Sequence, residues 1–194
     1  MANFCASLWN EEPTPENLIN CSECGLDKHG SRMVWGEGNP HAPLLILLDN
    51  PGAREDREGK PFLCGTRQTL QKAAFEAGFQ AEDLYVTYVL KRKPVRKYDK
   101  ERTRQICMNH LKQQLELKHP QLIVCLGNIA VQSFFENNDT DVKSLRGKIH
   151  EVHGYKTIAA YHPLAVRRRP NLWPLLLADF KLAAAHFFNK RPVS

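Results

Sequence analysis

Apolar residues in this chain fall into short unbroken runs separated by stretches with helical spacing. Residues 44–48 (Leu44, Leu45, Ile46, Leu47, Leu48) and residues 122–126 are continuously apolar and read as buried strands. Residues 84–90 and the shorter run 157–160 read as two more. Between them, residues 69–77 place Leu70, Ala73, Ala74 and Ala77 on one helical face, with Gly78 as the stop. Residues 101–118 align Ile106, His110, Leu111, Leu115 and Lys118 in the same way. Asn128 is placed to cap a helix running through Phe135, and residues 171–188 read as a long terminal helix. Residues 1–43 are broken by Pro13, Pro15, Gly25, Gly30, Gly36, Gly38, Pro40 and Pro43.

Apolar strands alternating with helices predict a three-layer α/β/α fold around a central, mostly parallel four-stranded sheet. The expected organisation is an N-terminal extension over residues 1–20 and one domain over residues 21–194, a length that suits a single core. The longest apolar runs are far too short to cross a bilayer, and no basic flank leads into an apolar segment at the N-terminus. A cytoplasmic, monomeric protein without a membrane partner is expected.

Charge narrows the partners. The formal net charge is +6, and the excess is concentrated: residues 91–104 hold eight Lys or Arg against Asp99 and Glu101. Arg167, Arg168 and Arg169 form a second cluster. Such density suits a polyphosphate, because each neutralised phosphate releases counterions. A solvated surface loop is the alternative.

Six cysteines are present, and in a cytoplasmic chain disulfides are not expected. Cys21 and Cys24 form a Cys-x-x-Cys pair, which points to a metal or a redox role.

Open α/β sheets bind ligands at the C-terminal ends of their strands. The first run leads directly into Asp49-Asn50-Pro51-Gly52, a tight turn in which Gly52 leaves room for a close approach. A charged stretch follows and ends at Pro61 and Phe62, the latter either a core plug or a stacking face for a base. The fourth run ends in Tyr161, His162 and Pro163, shortly before the three arginines. A histidine fixed at a strand end beside a basic segment favours a functional reading.

Taken in order, these segments resemble the type-4 uracil-DNA glycosylases. The matching pieces are Cys21 to Cys24 with Trp35 to Pro40, Asp49 to Asp56 with Gly59 to Phe62, Cys107 to Gly127, and Tyr161 to Pro163 with the downstream arginines. The resemblance implies an enzyme that hydrolyses the N-glycosidic bond of a flipped-out uracil, or a related deaminated base, in DNA and leaves an abasic site. It implies that Phe62 stacks on the base and that His162 donates a hydrogen bond to the developing anion. A polar group of the first motif holds the attacking water, and backbone amides of the turn from Asn50 through Gly52 to Ala53 contact the base. Arg167, Arg168, Arg169 and the basic loop with Lys91 and Lys93 grip phosphates.

Three departures qualify the resemblance. The family's glutamate–alanine pair before Pro-Gly is here Asp49 and Asn50, with Asn50 the first choice for water placement and Asp49 the second. Tyr88 stands where the family offers an asparagine to read the uracil edge, and a phenol lacks the paired donor and acceptor of an amide. The family's iron–sulfur cluster, a 4Fe-4S group, has Cys21, Cys24 and Cys107 as three of its four ligands, but its third cysteine is replaced by Arg92. Cys5 is one substitute; His29 or His110 completing a zinc site is another; three small buried residues without metal is the remaining alternative. Cys64 and Cys125 read as packing residues. The altered motifs also motivate a non-catalytic, DNA-binding or damage-sensing relative.

Overall fold

The computed structural model describes residues 4–52 and 63–189. Its strands are β1 (Glu11–Glu12), β2 (Gly36–Gly38), β3 (Leu44–Leu48), β4 (Leu84–Tyr88), β5 (Leu122–Leu126), β6 (Ile149–Val152) and β7 (Tyr155–Ala160). Its α-helices are α1 (Gly65–Glu76), α2 (Lys100–Lys118), α3 (Asn128–Phe134), α4 (Val142–Leu145), α5 (Pro163–Arg168) and α6 (Trp173–Phe188).

The strands form one sheet in the order β1-β2-β4-β3-β5-β7-β6. Its centre, β4-β3-β5-β7, is parallel throughout and comprises the four strands expected from the apolar runs. The four-stranded expectation is corrected at the margins. Antiparallel β2 and β1 extend the sheet beyond β4, and antiparallel β6 extends it beyond β7, giving seven strands among the described residues. These marginal strands are short and only partly buried, so they leave no unbroken apolar run. The β6–β7 turn has positive φ at both His153 and Gly154, as a two-residue hairpin requires.

Successive strand residues face opposite layers. Leu44, Ile46, Leu48, Leu84, Val86 and Tyr88 pack under α1 and α6 with Leu70, Phe180 and Ala183. Leu45, Leu47, Tyr85, Ile123 and Cys125 pack under α2 and α3 with Leu111, Leu115 and Phe134. This two-sided burial is why the central runs carry no polar alternation.

Helix ends follow local chemistry. Asp99 caps α2 by accepting from the Arg102 amide at 3.1 Å. α2 ends at His119 in the left-handed region, directly before Pro120. α1 begins at Gly65, before the apolar face that reveals it. Asn128 is not the cap of α3: Gly127 takes that position, and Asn128 Oδ1 instead accepts from the Val142 amide at 3.0 Å, docking α4.

Candidate active site

The C-terminal ends of β3 and β7 bring the two motifs together. Asp49 extends β3, and its backbone oxygen accepts from the Leu90 amide at 2.9 Å, which fixes the rim to the residues following β4. Asp49 Oδ1 accepts from the Asn50 amide at 2.9 Å, and Asn50 Nδ2 donates to the Pro51 oxygen at 2.8 Å. Oδ1 of Asn50 receives no hydrogen bond from the described residues and stays available as an acceptor. Pro51 is buried and Gly52 half-buried, which anchors the turn.

His162 follows β7 and caps α5, with Pro163 at the first helical position. Its Nδ1 accepts from the Leu164 amide at 3.1 Å, so the neutral ring carries its proton on Nε2. That Nε2 lies 3.5 Å from Asp49 Oδ1. Burial of Asp49 opposes its ionisation, but the hydrogen bond and charge of His162, then the local backbone amides, outweigh it. The net effect holds the Asp49 carboxyl below its ordinary range.

Gly127 seats the histidine. It sits at φ +92°, and a Cβ there would lie 2.9 Å from His162 Cβ. The arrangement is a carboxylate, an amide acceptor and an oriented imidazole N–H at the mouth of a parallel sheet.

Comparison with known proteins bears on this geometry. The family model described as the uracil DNA glycosylase superfamily matches residues 35–186. That stretch contains both strand ends. The chain belongs to the uracil-DNA glycosylase superfamily. It is 34% identical over 183 residues to a type-4 uracil-DNA glycosylase of Archaeoglobus fulgidus, covering 90% of this chain and 92% of the relative. It is 31% identical over 180 residues to the Sulfurisphaera tokodaii type-4 enzyme, covering 88% and 81%. It is 30% identical over 176 residues to that of Thermotoga maritima, covering 89% and 92%.

In this superfamily member the expected site residues divide. Asp49, Asn50, Gly52 and His162 converge at one rim, whereas Phe62 and Ala53 lie outside the described residues. Arg167, Arg168 and Arg169 are exposed at the C-terminal end of α5, and the Arg167 guanidinium packs over Gly65 at the start of α1. Lys93 is partly exposed.

Lys91 is corrected. It is fully buried, and its Nζ donates to Thr87 Oγ1 at 2.6 Å and to Gln114 Oε1. Burial lowers its pKa to about 7, against the raising influence of Cys107 and Glu12. It cannot reach a phosphate. Tyr88 is corrected likewise: it is 1% exposed, packed in the core beneath α1, and its hydroxyl accepts from Arg67. Arg67 is itself buried and paired with Glu37. The burial of Arg67 and Gln114 was missed in the sequence, although Arg67 shares a helical face with Leu70 and Ala74.

Among the cysteines, Cys125 is buried within β5, as a packing residue is, whereas Cys64 is only partly buried at the residue before α1. Cys5 is corrected as a substitute ligand. Its segment lies against α1, where Ser7 and Gln71 exchange bonds of 2.9 and 2.7 Å and Phe4 meets Phe75. Cys24 and Cys107 pack on the α2 side of the sheet, the opposite face. His29 is engaged otherwise, its Nδ1 accepting from the Val95 amide at 3.3 Å and its ring meeting Tyr98 edge-on. The neighbouring Cys107 lowers the Cys24 thiol, whereas Cys24 and burial together raise that of Cys107.

At the position of the family's third cysteine, Arg92 donates to the Ser31 oxygen at 2.6 Å and to the Ile19 oxygen at 3.0 Å. A guanidinium supplies no metal ligand. The described residues therefore offer three sulfurs here, and a four-cysteine 4Fe-4S cluster does not fit them.

Proposed function

We infer that the chain is a uracil-DNA glycosylase that hydrolyses the N-glycosidic bond of an extruded uracil and leaves an abasic site. The observation that carries this reading is the His162–Asp49 pair at the ends of β7 and β3, inside a full-length match to type-4 enzymes.

Bond cleavage leaves negative charge on the base and positive charge on the sugar. The Nε2–H of His162, held by the Leu164 amide on the other side of the ring, donates to the oxygen that gathers charge. A donor fixed before the reaction contributes about 3–4 kcal/mol to such a barrier. Asn50 Oδ1 accepts a hydrogen from the attacking water, and its own Nδ2–Pro51 bond fixes the amide orientation. Asp49 Oδ1 faces that same Nε2 at 3.5 Å before the base enters and yields the N–H to the base oxygen. Phe62 stacks on the base in this reading, by resemblance. Arg167, Arg168, Arg169 and Lys93 bind the DNA backbone. No step passes through an iron–sulfur cluster.

The test is release of base from oligonucleotides carrying uracil, hypoxanthine or xanthine, read as alkali-labile strand breaks. Breakage at uracil is expected. Salt-dependent DNA binding without a labile site at any lesion would instead mark a non-catalytic relative.

A further inference from the structure

A second concavity opens beside the strand-end site, between α1, α5 and the start of α6, and encloses about 400 Å³. Phe4, Val166, Pro170 and Trp173 give it apolar walls, and Lys72 and Arg167, both exposed, give it positive charge. Among the described residues no carboxylate lines it. Glu76 reaches Lys72 Nζ at 3.8 Å from one turn further along α1, and an exposed pair of this kind binds weakly. Lys72 Nζ also lies 5.2 Å from the centre of the Trp173 ring, so a cation and an aromatic ring meet in one place. Trp173 packs against the core yet stays half-buried, unlike Leu176 and Phe180 further along α6, which are fully buried. Arg167 ties the groove to the site. It lies in the last turn of α5, five residues after the capping His162 and so about 7.5 Å along the helix.

We propose that this groove is a subsite for an unpaired nucleotide of the strand that carries the target base, with the base stacked on Trp173 and its phosphate held by Lys72 and Arg167. The inference rests on the glycosylase reading above and adds the strand state at the lesion: single-stranded DNA, whose neighbouring bases are free to enter. Both faces of a base inside a duplex are covered by the stack, so only an unpaired base can lay a face on the indole. Aromatic rings combined with a positive groove are how proteins hold single strands without regard to sequence, because every base has a π face.

The two cations have different parts. Lys72 carries its charge on a flexible four-carbon stem, so it leaves the ring for the phosphate as the base takes its place. The Arg167 guanidinium is packed over Gly65 at the start of α1 and is already in position. A strand whose target base lies against His162 follows α5 to Arg167 and reaches the groove from there. The apolar walls exclude water from the stacked base, and the absence of lining carboxylates spares its phosphate like-charge repulsion.

The experiment measures binding of uracil-free DNA to the whole chain, so its outcome does not depend on base release. A short thymidine oligonucleotide and a blunt duplex of equal length are compared by anisotropy. Trp173→Leu should weaken single-strand binding by about 10-fold, the equivalent of one stacked base, and hardly change duplex binding. Trp173→Phe, which keeps a ring, should recover most of the loss. Lys72→Gln should also weaken the single strand selectively, and because Lys72 is exposed this variant tests the groove even where Trp173→Leu unfolds. The single strand should quench tryptophan fluorescence in wild type and much less in Trp173→Leu. Equal losses on single strand and duplex would overturn the proposal, since they mark backbone contact alone. So would wild-type fluorescence unmoved by the single strand, or single-strand affinity indifferent to both replacements. Selective single-strand binding through Trp173 in a protein that releases no base would uphold the groove and remove the glycosylase reading instead.

Discussion

Nε2 of His162 lies 3.5 Å from Oδ1 of Asp49, joining the ends of β7 and β3 across the strand between them. The pair is reached only because parallel strands deliver their C-terminal ends to one edge of the sheet. Replacing His162 with Ala removes the oriented donor. Single-turnover base release should slow on the order of 10²–10³-fold. The circular dichroism spectrum and DNA affinity should hardly change.

Asp49 supplies a pH dependence with a definite sign. Its carboxyl sits below the ordinary range, because His162 and the local amides outweigh burial. A depressed acid contributes stability that is fully present above about pH 4 and is lost as pH falls through the folded value. The melting temperature of wild type relative to Asp49→Asn should therefore be flat from neutral pH down to about 4, then converge in more acid buffer. A gap that widens on acidification would contradict this account.

Gly127 is a positioning residue. Its φ of +92° and the 2.9 Å approach of a built Cβ to His162 Cβ leave no room for a side chain. Gly127→Ala should displace the imidazole and lower turnover by about 10- to 100-fold. Affinity for undamaged DNA, measured by anisotropy, should stay near wild type.

The basic residues now separate by burial. Arg167, Arg168 and Arg169 are exposed, and Lys91 is not. Each arginine that touches a phosphate should, on replacement by Ala, reduce the slope of log affinity against log salt by about 0.9. Lys91→Met should leave that slope unchanged in folded protein and act on stability alone.

Arg146 and Asp179 test the far side of the core. Asp179 is fully buried and accepts from Arg146 Nε at 3.0 Å and Nη2 at 2.9 Å, with a further 3.2 Å bond from the Gly147 amide. Arg146→Ala strands the carboxylate. Urea denaturation should report a loss of roughly 3 kcal/mol or more.

The apolar runs at 44–48 and 122–126 could be read without coordinates, because a strand buried on both faces has no polar position to obscure it. So could the strand-end motifs, since turn residues declare themselves locally. Asp49, Asn50 and His162 were therefore legible as candidates, and their ordered motifs sufficed to suggest the family. Burial of the polar residues was not legible. Lys91 sits in a run of basic residues that are at least partly exposed, yet it turns inward to Thr87 and Gln114. Tyr88 and Arg67 lock each other beneath α1 in the same way. The marginal strands β1, β2 and β6 also lack a signature, being too short and too exposed to show one.

By itself, then, the chain's order of residues determined the parallel centre of the sheet and the chemistry at its strand ends, because periodicity and turn preference are local properties. The tertiary structure alone decided that Asp49 meets His162, that His110 joins Cys21, and that Lys91 is core rather than surface. Those outcomes depend on which distant segments share a face, and contacts across 113, 89 or 23 positions are set by packing rather than by neighbours in sequence.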